Sequence, residues 1–245
     1  MEVAVVIAGV SVAALAAVLV LAGNINALRG TPRSRWLSFA GGVAVAYVFL
    51  QLLPELTRAQ QNTAEQHGRG PWLREHLLFL VSLAGAATLF GIERAAKRTK
   101  QTRKERGAEE RAAAWVFWLH AALMSVYVAF IAYLLFDRER PAEVAVLGLV
   151  MALHFSGIAV ALADDYRSLY STRGRWLLAA AVLAGGIYSY LATLPETVHH
   201  LVLSVLAGAV IFSVIKEEIP PEQQSRFWAV AAGIAVAATL LGAAG

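Results

Sequence analysis

Val3-Ala-Val-Val-Ile-Ala-Gly-Val-Ser-Val-Ala-Ala-Leu-Ala-Ala-Val-Leu-Val-Leu-Ala-Gly23 is an apolar run broken only by Ser11, and its length decides what surrounds the chain. At about 1.5 Å rise per residue, roughly 20 apolar residues cross the ~30 Å hydrocarbon core of a bilayer. Seven further stretches of the same kind lie at 36–54, 76–92, 112–136, 142–163, 176–194, 198–215 and 227–244, and the charged residues fall almost entirely between them. The expected fold is all-α: one polytopic membrane domain, residues 1–245, with eight transmembrane helices. The lipid bilayer is its first partner.

Composition agrees. The 245 residues are 58% hydrophobic and 16% charged, and the mean hydropathy is +0.60, values of a chain surrounded by lipid. The net charge of +4 does not point to nucleic acid, because topology accounts for where the basic residues stand. With the N-terminus outside, sixteen of the 21 Lys and Arg fall in inner segments (around Arg29–Arg35, Arg94–Arg111, Arg167–Arg175, and at Lys216 and Arg226) and five in outer ones. Basic residues of short loops stay on the cytoplasmic side, so both termini are expected outside a multi-pass cell-membrane protein. Residues 1–23 carry Glu2, and no basic residue, ahead of the apolar run, so this helix is expected to be retained rather than cleaved. The absence of cysteine excludes a disulfide framework and a thiolate metal site.

Residues 93–111 are basic and almost free of apolar side chains. The expected structure is a solvated cytoplasmic connector near anionic headgroups. It has no aromatic residues for stacking bases, so no nucleic-acid partner is expected. Small residues recur in the spans, at Ala40–Gly42, Ala84–Ala87 with Gly91, Gly148 with Ala152, Gly185–Gly186 and Ala207–Ala209, as close packing of membrane helices requires.

Two span endings repeat. Residues 41–55 and 208–222 both read glycine, apolar helix, polar residue, Pro-Glu, with Gln51 against Glu218, Pro54 against Pro221 and Glu55 against Glu222. The second span runs outward and the seventh inward, so the copies form an inverted repeat, spans 1–3 against 6–8 around spans 4 and 5. Many secondary transporters are built this way around a midplane site.

Ionisable groups inside a membrane are costly and suggest function. His120 lies about eight residues from the inner start of the fourth span and His154 about nine from the inner end of the fifth, which places both roughly 12–14 Å deep. Met124 follows His120 by one helical turn and Ser156 follows His154 by two residues. Two readings stand: a metal site of neutral imidazoles with these weaker donors, or two histidines that hydrogen-bond between helices.

At these residues the chain resembles the ZIP (Zrt/Irt-like) metal transporters over essentially its whole length. The resemblance rests on eight spans with both ends outside, a variable inner loop after the third span, and the endings Gln51-Leu-Leu-Pro54-Glu55 and Glu218-Ile-Pro-Pro221-Glu222, similar to the family's His-x-x-Pro-Glu and Glu-x-x-Pro-Glu. It implies passage of a divalent cation of the zinc, iron or manganese class, zinc foremost, between spans 4 and 5, with no permanently bound cofactor. A homodimer is compatible with that architecture. The implied metal-handling residues are His120, His154, Met124, Ser156, Gln51 and Glu218.

The chain departs from the family in those same spans. His120-Ala-Ala-Leu-Met124-Ser125 stands for His-Asn-x-Pro-Asp/Glu-Gly, and His154-Phe155-Ser156-Gly157 for the start of His-Glu-x-Pro-Glu-Gly. The carboxylates are missing, and a divalent ion leaving water needs negative charge as well as donors. Asp164, Asp165, Glu217 and Glu218 lie toward the inner end, beside Lys216, and read as an exit vestibule or as headgroup-level caps. On the outer side Glu196, His199 and His200 follow Pro195 and read equally as a surface metal site or a polar turn; Glu55 with His67 and His76 is a looser grouping. No His-Glu-x-x-His, Gly-x-Ser-x-Gly or phosphate-binding glycine loop occurs, so no enzyme is expected. The alternative to a transporter is a ZIP-fold protein that no longer transports and serves as a binding, regulatory or partner subunit.

Overall fold

The computed structural model describes residues 2–24, 35–67, 71–106, 110–166, 169–218 and 227–244. Among them there are helices and no strand: α1 (Glu2–Leu21), α2 (Arg35–Tyr47), a π segment (Val48–Leu52), α3 (Leu53–His67), α4 (Trp72–Glu75), α5 (Leu77–Arg106), α6 (Glu110–Asp137), α7 (Pro141–Asp165), a second π segment (Tyr170–Gly174), α8 (Arg175–Leu191), α9 (Glu196–Glu218) and α10 (Phe227–Ala244). Six helical stretches are long and apolar enough to cross a membrane: Glu2–Leu21, Arg35–Glu65, Leu77–Ala95, Trp115–Asp137, Pro141–Asp164 and Glu196–Ile215. The other two expected spans are shorter helices, α8 at 17 residues and the apolar stretch Phe227–Ala243 of α10.

Two expectations are corrected. Pro54 does not end the second span, because the chain stays helical to His67. Proline has no N–H and its ring presses on the carbonyl four residues earlier. The wider π turn at Val48–Leu52 absorbs this defect just ahead of the ring, as π-bulges do. Likewise 93–106 is no loop but the end of α5, and α6 begins at Glu110. Its Ala, Lys, Arg, Gln and Glu are strong helix formers, and they extend a helix that the apolar span has already nucleated.

The helices pack as α2 on α10, α5 on α9, α6 on α8, and α1 on both α7 and α8. Three of these crossings are made by glycine against bare backbone. A methyl at Gly42 would collide with the Val230 carbonyl, and one at Gly233 with that of Phe39; Gly85 meets Val205, and Gly208 meets Ser82, in the same reciprocal way. Gly185 stands against Ala129 on α6. Lipid gives no hydrophobic force between helices, so backbones that touch gain packing and Cα–H···O contacts that side chains would prevent.

All six tryptophans are substantially exposed, from Trp118 at 38% to Trp72 at 64%. Trp36, Trp115, Trp118, Trp176 and Trp228 stand at the first turns of α2, α8 and α10 and on the early part of α6, which lie at one end of the bundle. The Arg35 guanidinium lies over Trp228 and that of Arg175 over Trp176, at 6.0 and 5.4 Å. Indoles backed by arginine are the signature of a membrane interface.

Two polar contacts brace the ends. Tyr170, 2% exposed, donates to the Leu19 carbonyl at 2.6 Å, and burial raises its phenol above the usual range; a Cβ at Gly23 or Gly174 would crowd its ring. At the other end the buried Gln60 accepts from Leu78 N–H at 2.8 Å and donates to the Arg74 carbonyl at 3.1 Å. It thereby fills one of the donors left open at the start of α5. Gln60→Ala leaves both backbone groups without that partner and is expected to cost about 1–2 kcal/mol, read as a lower melting temperature in detergent than Gln61→Ala on the exposed side of the same helix.

Candidate functional site

The centre of the bundle holds neutral polar groups. The buried polar side chains among the described residues are Ser38, Gln60, Ser82, His154, Ser156 and Ser204. No ionised side chain is among them, in keeping with the cost of a buried charge.

His154, on α7, is 6% exposed. Its ring meets Tyr127 edge-on at 6.1 Å and Phe155 at 6.3 Å, and its Nδ1 is buried with no hydrogen-bond partner. Tyr127, on α6, is itself buried and donates its hydroxyl to the Met151 thioether at 3.8 Å, a weak acceptor. Two polar groups thus face each other at the centre without strong partners. Such groups are uncommon in packed proteins and call for an explanation.

The remaining expected site residues are dispersed. His120 is half-buried and sits edge-on to Tyr166 at 6.3 Å, beside Phe117, and no ring contact joins it to His154. Met124 is buried at 9%. Ser156 donates to the Leu153 carbonyl of its own helix at 2.6 Å. Gln51 lies half-buried on the π segment. The side chains of Lys216, Glu217, Glu218, Asp165 and His67, and all of Pro221 and Glu222, lie outside the described residues. Among the described residues no group of three His, Asp or Glu side chains is arranged to hold a metal ion.

Toward the Pro54 end of α2, a narrow cavity of about 10 Å³, scarcely room for one water molecule, lies between α2, α6 and α9. Tyr47, Leu52, Tyr127, Phe130, Leu203 and Leu206 are among its lining residues. Its rim is polar. Arg138, in the link between α6 and α7, donates from Nη2 to both oxygens of Glu55, at 2.9 and 3.0 Å, with each side chain about one-fifth exposed. Burial works to lower the Arg138 pKa, but Glu55, together with Tyr47 and Glu143, outweighs it and the net direction is upward. The carboxylate of the Pro-Glu ending is therefore occupied by a guanidinium, which composition gave no means of foreseeing. Nearby, His199 packs edge-on to Phe130 and Tyr133 at 5.4 and 6.0 Å. His200 turns to Thr63 at 3.3 Å and to Glu196 at 4.0 Å. The two rings stand nearly perpendicular, 6.0 Å apart. His76 faces another way, bonding the Trp72 carbonyl and stacking on the Trp72 ring.

No protein-family model matches the chain, and no curated protein matches it. The class that the fold itself defines is a helical protein with several helices long and apolar enough to span a membrane.

Proposed function

We propose that the protein is an eight-span transporter of a small cation in the cell membrane, ZIP-like in architecture, with both termini outside and its ion passing between α6 and α7. The observation that carries this reading is an uneven match within a largely paired set of contacts. An inverted repeat exchanges spans 1–3 with 6–8 and span 4 with span 5. It relates α1 on α7 to α8 on α6, and α5 on α9 to α10 on α2, and all four contacts are made. The reciprocal glycine crossings follow the same exchange. The partner of α2 on α7 is α9 on α6. The first pair is packed, whereas the second has no comparable packing and its facing side chains line the cavity. One interface packed and its counterpart less closely packed is an asymmetry of the kind that alternating access uses.

The divalent class, zinc foremost, comes from the resemblance, and His154 with its unpartnered nitrogen is the residue best prepared to meet an ion. Uptake of Zn²⁺, Fe²⁺, Mn²⁺ and Co²⁺ into proteoliposomes tests the reading. Flux of at least one ion is expected well above that of empty vesicles, falling to background in His120→Ala/His154→Ala that melts as the wild type does. Absence of flux for all four ions, with well-folded protein, sinks the divalent reading. The scattering of the expected ligands favours the second reading, a non-transporting partner subunit, which then predicts a copurifying protein in mild detergent.

A further inference from the structure

Resting on the reading as a cation transporter but not on its divalent class, we infer that the central site takes a soft monovalent cation, Cu⁺ or Ag⁺, bound by His154 and Met151. The chain has three methionines, and the two that follow Met1 each share a helical face with one of the two midspan histidines. Met124 lies four residues after His120, and Met151 three residues before His154; positions three and four apart are neighbours on a helix. Counted from the inner boundary, the two histidines stand at one depth and the two methionines about one turn further out on the adjacent antiparallel helices. Both methionines are buried, Met151 at 1% and Met124 at 9%.

The second observation is independent of that spacing. His154 Nδ1 is buried without a hydrogen-bond partner, and the Met151 thioether takes a hydroxyl from the same Tyr127 whose ring faces His154. Imidazole and thioether are neutral donors, and thioethers select soft ions such as Cu⁺. The charge agrees. Without a carboxylate among the described groups at this depth, a divalent ion keeps both charges in a low-dielectric setting, whereas a monovalent ion carries one and is satisfied by few ligands. Tyr127 also lines the narrow cavity between α2, α6 and α9, so the site and that cavity share a wall.

The test is equilibrium retention of Ag⁺, which needs no reductant, by purified full-length protein in chloride-free buffer. Zn²⁺ is run in parallel, and bound metal is measured by mass spectrometry. One Ag⁺ per chain is expected, with affinity weakened at least tenfold in Met151→Leu, which preserves volume, and in His154→Asn. Circular dichroism and melting temperature report that both remain folded. Unchanged retention in Met151→Leu/His154→Asn, or none in the wild type, overturns the assignment. Ag⁺ retention without flux of any cation keeps this site and removes the transporter; flux of Zn²⁺ without Ag⁺ retention does the reverse.

Discussion

Gly208→Val is expected to leave little folded protein. A Cβ at this position falls on the Ser82 carbonyl, and the neighbouring Gly85 meets Val205 in the mirror sense, so the helices α5 and α9 touch through backbone alone. Overpacking that side chains can absorb costs about 1–3 kcal/mol, but a carbonyl inside a helix has no rotamer to move into. A loss at or above about 3 kcal/mol is therefore expected, visible as a collapsed monodisperse peak and a lower melting temperature. Gly9 and Gly91 supply the control, because nothing lies within 4 Å of a Cβ at either. Gly9→Val and Gly91→Val are expected to behave as the wild type. A Gly208→Val protein that melts with them would disprove the close crossing.

Arg138→Ala is expected to be the most damaging change among the charged residues. It leaves Glu55 about four-fifths buried, with its two hydrogen bonds gone. Removing one partner of a fully buried pair costs about 3–5 kcal/mol; the fifth of each side chain that water still reaches lowers this to about 2 kcal/mol. Glu55→Ala/Arg138→Ala is expected to recover part of the loss, since no orphan charge remains. Arg138→Lys is expected to recover part of the loss, because both contacts come from the single Nη2 nitrogen, which an ammonium can replace as a point charge. Chemical denaturation of the wild type, Arg138→Ala, Glu55→Ala and the double variant in one detergent measures the cycle. Additive losses would mean that the pair is only a surface contact.

The helical membrane character was legible because it depends on segment length and mean apolarity, which the sequence displays directly. The small residues signalled tight packing as well, although not which glycine met which carbonyl: the repeat aligned Gly41 with Gly208, whereas Gly42 is the residue at the α2–α10 crossing. Pro54 misled because its usual effect on a helix is local, and a π turn one step upstream can hide it. The candidate site was less legible for a different reason. His120 and His154 share a depth, but depth along an axis does not fix rotation about it, and each imidazole turns to a different tyrosine. The Glu55–Arg138 pair joins residues 83 positions apart, and no local pattern announces such a contact.

Helix α8 has 17 residues and rises about 26 Å, short of the ~30 Å that surrounding hydrocarbon occupies. Its neighbour α6 has 28 residues. Annular lipids must therefore shorten or tilt beside α8, where exposed Tyr190 and Leu191 end the helix at 76% and 75%, while those beside α6 need not. The protein thus presents its membrane with a thin side and a thick side, and bilayer thickness becomes a variable that acts on one edge of the bundle more than on the other.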